Sequence, residues 1–158
     1  MSKVKKLYES YDWVGEIANK TIIELQKTAE ILTELHNDFF SRFDISSTKF
    51  NFLVILYTGY DEGMMLSEIG EQMLVTKANI TGLVDRLEKQ GYVKRKRDLF
   101  DRRKVIAMIT DKGKSFTEKV IEEYKVWSKS IMTILEDDEK SQLIGLLKKI
   151  QVGLIDKI

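Results

Sequence analysis

Between Leu66 and Thr110 the hydrophobic pattern changes period, and no other feature limits the fold as much. Ser67 starts a short helical pattern through Met73, Leu74-Val75 reads as a tight turn, and Thr76 is a good N-cap for a helix over Lys77–Gln90. Ile80, Leu83, Val84 and Leu87 make that helix's apolar stripe, and Gly91 suits a left-handed C-terminal cap with Tyr92 folding back as its apolar partner. The period then shortens to two. Tyr92–Arg97 and Lys104–Ile109 read as strands, separated by Asp98-Leu99-Phe100-Asp101-Arg102-Arg103. Two short helices and a basic hairpin fit a helix-turn-helix with a projecting wing.

Charge gives this stretch a direction. The chain carries +1 overall, yet from Lys77 to Lys104 ten basic residues face four acidic ones, a local +6 that leaves −5 elsewhere. A near-neutral chain with one basic segment suits a polyanionic partner. The polar face of the second helix holds Thr76, Lys77, Asn79, Thr81, Gly82 and Arg86. Such a face offers groups for base edges and phosphates and little bulk where backbone must approach. Any amphipathic helix has a polar face, so this alone is weak. The hairpin strengthens it, because the adjacent Arg102 and Arg103, followed by Lys104, suit a narrow electronegative minor groove. Asp101 then fits as the carboxylate that holds an arginine in position.

The flanks are helical. Ile22, Leu25, Ala29, Leu32, Leu35, Phe39 and Phe43 recur at threes and fours within one long helix over about 12–43. Ser46 starts a mostly buried second helix ending near Thr58-Gly59, and Met64-Met65 reads as a minimal strand pairing with the hairpin. Thr110 caps a helix to about Leu135, and Glu136-Asp137-Asp138-Glu139 opens a last helix with a wide apolar face. Both terminal helices carry surplus apolar surface, which a two-fold dimer would cover. His36, Phe39, Phe40 and Phe52 are candidates for a small-molecule cavity, although such residues are more often plain core.

Composition removes several classes. Cysteine is absent, which excludes disulfides, thiol redox sensing and cysteine zinc sites. A single histidine argues against a histidine metal site or a catalytic triad, and no glycine-rich phosphate loop is present, so no catalytic residue, metal or cofactor is expected. The N-terminal MSKVKKLYESYDW lacks the apolar core of a signal peptide and no run reaches membrane-spanning length, so a cytoplasmic location without membrane contact is expected.

Taken together, Leu66-Ser67-Glu68-Ile69-Gly70, Val75 through Glu88, Gly91-Tyr92-Val93, and Asp101-Arg102-Arg103 followed by Ile109-Thr110 and Gly113 resemble the MarR family of bacterial winged-helix transcriptional regulators. Ile109 stands where that family's pattern has leucine. The resemblance implies a mainly α fold with a small β-hairpin wing. It implies one domain over 12–155, with a winged-helix lobe at 46–110 (helix-turn-helix 66–89, wing 92–109). A dimerisation lobe would comprise 12–43 plus 111–155. It also implies a homodimeric repressor on a pseudo-palindromic double-stranded DNA operator. The helix from Lys77 would lie in the major groove and Arg103 in the minor groove, oriented by Asp101, with Arg102 as a second contact. A small aromatic or phenolic effector would bind between the lobes. The alternative is an interaction protein of the same fold that binds a protein partner and no DNA.

Overall fold

The computed structural model describes residues 16–59, 62–73, 77–97 and 104–155, with Lys77 and Ala78 described in backbone only. Helix α1 spans Ile17–Ser41, α2 Ser47–Thr58, strand β1 Met64–Met65, α3 Leu66–Gln72 and α4 Lys77–Lys89. Strands β2 (Val93–Arg97) and β3 (Val105–Ile109) follow, then α5 (Asp111–Ile131), a 3-10 turn at Met132–Ile134, and α6 (Asp137–Ile155). The three strands form an antiparallel sheet in the order β1-β3-β2, so the minimal Met64-Met65 strand does join the hairpin, with Met64 opposite Ala107. No described helix is long and apolar enough to cross a membrane.

Local chemistry sets the boundaries. Ser46 Oγ accepts from the Lys49 backbone N–H at 3.3 Å, which starts α2. Glu68 accepts from the Met65 N–H at 3.1 Å, so α3 begins at Leu66, one residue before the position expected from Ser67. Glu139 does the same for the Glu136 N–H at 2.8 Å and opens α6. One expectation is corrected: the helix after Thr110 does not run on to Leu135. It leaves α geometry at Ile131, and a single 3-10 turn bends the chain into α6.

The core belongs to the middle of the chain. Among the described residues all fifteen buried apolar side chains lie between Phe39 and Val120, and α6 buries none. Phe52, Leu53, Ile69, Val84, Leu87, Ala107 and Val120 are fully buried and tie α2, α3, α4, the sheet and α5 together. Only the end of α1 enters this core, through Phe39 and Phe40. Arg42 and Phe43 close the helix on the Phe39 and Phe40 carbonyls, and Asp44 turns through φ 53° to place Ile45 inside.

Candidate nucleic-acid interface

Helix α4 buries Ile80, Leu83, Val84 and Leu87 and turns Asn79, Thr81, Asp85, Arg86 and Glu88 outward. The buried stripe fixes its rotation, so the polar face is presented by packing, not by chance. Arg86 is exposed and its Nε donates to the Gly82 carbonyl at 3.0 Å, which lays the guanidinium along its own helix. Among the described residues, a Cβ at Gly82 would meet only that guanidinium, at 3.7 Å. The helix ends in a Schellman cap: Gly91 at φ 76° donates to Glu88 O at 2.9 Å, and Tyr92 donates to Leu87 O at 3.0 Å. The Tyr92 ring then stacks on Phe116 of α5 at 4.4 Å, which fixes the root of the wing to the helical body.

That root is crowded by design of the sequence. Tyr92 O accepts from the Thr110 N–H at 3.0 Å and from its hydroxyl at 3.1 Å, while Thr110 Oγ1 caps α5 by accepting from Gly113 N at 3.0 Å. A Cβ on Gly113 would lie 2.1 Å from Tyr92 O, so only glycine fits. The Ile109-Thr110…Gly113 signature is thus the joint between β3, the C-terminal cap of α4 and α5.

On the wing, β2 pairs with β3 from Val93 opposite Ile109 to Arg97 opposite Val105. Val93 is buried, whereas Lys94, Lys96 and Arg97 are exposed, as is Lys104 just before β3. Arg95 differs. Its Nη2 pairs with Asp85, its Nε lies 3.0 Å from Glu88 Oε2, and its backbone N–H donates to Glu88 Oε1 at 3.1 Å. The Nε approach is too bent for a hydrogen bond, so that contact is an ion pair only. Arg95 is one of the ten basic residues behind the local charge of +6, yet its charge is spent on the carboxylates of α4. Period-two alternation was the available signal, since Arg95 shares Val93's face and that face looks at α4.

Of the remaining expected DNA contacts, Thr76, Asp101, Arg102 and Arg103 lie outside the described residues, and Lys77 is placed by its backbone alone. Asn79, Thr81 and Arg86 on α4 and Lys104 before β3 are each exposed.

A second feature is an open crevice of about 580 Å³ between the end of α1, α2, α3 and α5. His36 and Phe40 line it, with Thr33, Asn51, Met73 and Tyr124 among others. Phe39 and Phe52 are not among its lining residues and sit in the core. His36 Nδ1 lies 2.7 Å from Leu32 O, which can only accept, so Nδ1 carries a proton. In the neutral ring Nε2 then accepts from the Tyr124 hydroxyl at 2.9 Å. Burial pushes the Tyr124 hydroxyl above the ordinary tyrosine range. Among the described lining residues none is Lys, Arg, Asp or Glu. No group of three or more potential metal ligands converges among the described residues.

Comparison with known proteins agrees with this architecture. A family profile described as MarR family matches residues 45–105. An uncharacterised HTH-type transcriptional regulator of Bacillus cereus is 30% identical over 118 residues, which is 74% of this chain and 77% of that protein. The uncharacterised HTH-type transcriptional regulator YkoM of Bacillus subtilis is 36% identical over 102 residues, and the match spans 65% of each chain, just under two thirds. A crystal structure of an S. aureus MepR–DNA complex superposes with a TM-score of 0.74 at 19% identity, covering 82% of this chain and 94% of that one, which shows the shared fold. The chain belongs to the MarR family of winged helix-turn-helix transcriptional regulators.

Proposed function

We propose that the chain is a cytoplasmic, homodimeric repressor that binds a pseudo-palindromic DNA operator and performs no catalysis. The observation that carries this reading is the exposed polar face of α4 beside the basic strand β2, held rigid by a shared core. In this reading 46–110 is the DNA-binding lobe, and 12–43 with 111–155 is the dimerisation lobe of one domain over 12–155. Thr76, Asn79 and Thr81 approach base edges in the major groove, while Lys77 and Arg86 serve phosphates. Arg103 enters the minor groove, oriented by Asp101, with Arg102 and Lys104 on the adjacent backbone. The exposed apolar side chains of α1 and α6, including Ile22, Leu35, Leu146 and Leu154, support the two-fold partner.

The crevice is the effector site in this reading. Aromatic walls, the hydroxyl and amide groups of Thr33, Ser47, Thr48 and Asn51, and the lack of a described charged lining residue suit a small phenolic or aromatic ligand. Such a ligand must favour a non-binding conformer. A hundredfold loss of operator affinity needs about 2.7 kcal/mol of differential binding.

The test is selection of bound duplexes from a random DNA pool by the purified dimer. The expected product is a two-fold symmetric site whose half-sites lie about one turn, roughly 34 Å, apart. No enrichment, together with binding to duplex that ignores salt, overturns the reading in favour of a protein-binding relative of the same fold.

A further inference from the structure

We propose that Arg95 is an electrostatic guard for the recognition helix and makes no contact with DNA. Two carboxylates, Asp85 and Glu88, stand on the outward face of α4, where phosphates would approach in the DNA-binding reading on which this inference rests. Alone they would repel a polyanion. Arg95 reaches them from β2, pairing with Asp85 through Nη2 and standing 3.0 Å from Glu88 through Nε. Glu88 spends its other oxygen on the Arg95 backbone N–H at 3.1 Å, which fixes the guanidinium's origin against the helix. The Arg95 side chain is only 28% exposed, against 49% for Asp85 and 42% for Glu88. The cation is therefore the more buried member of the cluster, with its Nε wholly buried. A phosphate ligand has the opposite geometry, with its donors aimed at solvent, as exposure allows for Lys94, Lys96 and Arg97 on the same strand.

The geometry separates three roles that a simple loss of affinity would confuse. Screening predicts that Arg95→Met weakens binding about tenfold, because two uncompensated carboxylates would then repel phosphates that come within a Debye length of α4, about 10 Å at 0.1 M salt. It also predicts that Asp85→Asn with Glu88→Gln binds as well as the unsubstituted chain or better. The triple variant Arg95→Met/Asp85→Asn/Glu88→Gln should return to within about threefold of the unsubstituted chain. Arg95→Lys, which keeps the charge, should stay near the unsubstituted value.

The experiment measures these four variants and the unsubstituted chain on a mixed-sequence duplex of about 30 base pairs, where binding is electrostatic and needs no known operator. Thermal unfolding is followed in parallel and should move little, since partly exposed ion pairs contribute little stability. Rescue in the triple variant supports the inference. If the triple variant stays as weak as Arg95→Met while the acid-to-amide pair binds normally, Arg95 is a phosphate ligand and the inference fails. If the acid-to-amide pair is itself as weak as Arg95→Met, Arg95 acts by holding the wing in place, and the inference again fails. Absence of duplex binding by the unsubstituted chain would instead overturn the DNA-binding reading itself, and this inference with it.

Discussion

Replacing Gly113 by alanine should break the joint between wing and body. The new Cβ would lie 2.1 Å from Tyr92 O and 2.8 Å from Ile109 Cγ1. The first approach is more than about 1 Å inside van der Waals contact. Its obstacle is backbone, not a flexible side chain, and that carbonyl already accepts from both the Thr110 N–H and hydroxyl. Overpacking costs about 1–3 kcal/mol, and a rigid neighbour puts this site at the upper end. Displacing Tyr92 O weakens about one hydrogen bond, a further ~1 kcal/mol. Alanine returns at most about 1 kcal/mol of helix propensity at the start of α5. The net loss is about 3 kcal/mol, more than a hundredfold in the folded-to-unfolded ratio. Urea unfolding at one fixed protein concentration should show the midpoint falling by roughly 1.5 M with an unchanged slope. A variant whose midpoint stays with the unsubstituted protein would refute the close approach of α5 to Tyr92.

Gly82→Ala should act in the opposite sense, because its Cβ meets nothing nearer than Arg86 at 3.7 Å: stability rises by up to ~1 kcal/mol in urea unfolding. Affinity for duplex should nevertheless fall in a binding titration, since the added methyl stands on the polar side of α4 that meets DNA in the proposed reading. Arg103→Ala should weaken operator binding and relax preference at the flanking minor groove in a footprinting and competition assay, while unchanged affinity and specificity would end the wing's proposed role. Alkaline unfolding tests Tyr124. Its folded-state hydroxyl titrates above the ordinary value of about 10 because burial disfavours the phenolate. The stability this contributes is fully present below about pH 10 and is lost as pH rises through the raised folded value. Tyr124→Phe should therefore flatten the fall in melting temperature above pH 10, and an unchanged profile would remove Tyr124 from the account.

The elements that carry their own caps and periods were legible in the sequence. Thr110, Ser46 and Gly91 each satisfy backbone groups through nearby atoms, so their positions announce the ends of α5, α2 and α4. Even the two-residue strand at Met64-Met65 was readable, because a strand beside an alternating hairpin needs only a short apolar run. The 3-10 bend after Ile131 was not, since Met132-Thr133-Ile134 continues a helical apolar pattern and no glycine or proline interrupts it. At the candidate site, the buried stripe of α4 fixed which side chains face outward. The partnership of Arg95 with Asp85 and Glu88 was hidden because it links residues on different elements, and charge counts do not record which charges meet. Likewise Phe40 and Phe52 look alike in sequence, yet the turn of α2 sends Phe52 wholly into the core while Phe40 at the end of α1 borders the crevice.

The distribution of burial also says where oligomerisation should act. The lobe that would touch DNA holds the buried core, whereas α6 leaves Leu143, Ile144, Leu146, Val152, Leu154 and Ile155 exposed in the single chain. A helix of this length gains most of its stability from packing, so α6 needs a partner surface. Leu146, 60% exposed, lies on the apolar side of α6 with Leu143, Ile150 and Leu154. Covering a leucine contributes about 1.5–3 kcal/mol, and a two-fold interface uses each position twice. Leu146→Asp should therefore cost the dimer about 3 kcal/mol or more, a hundredfold or greater rise in its dissociation constant. Sedimentation across a dilution series should show monomer at concentrations where the unsubstituted chain stays dimeric. The winged lobe should remain folded by circular dichroism, because its core does not draw on α6. Operator affinity should fall with the dimer, while single half-site binding persists. A variant that sediments as a dimer with the original constant would place the two-fold contact elsewhere, and would leave the apolar face of α6 without an assigned partner.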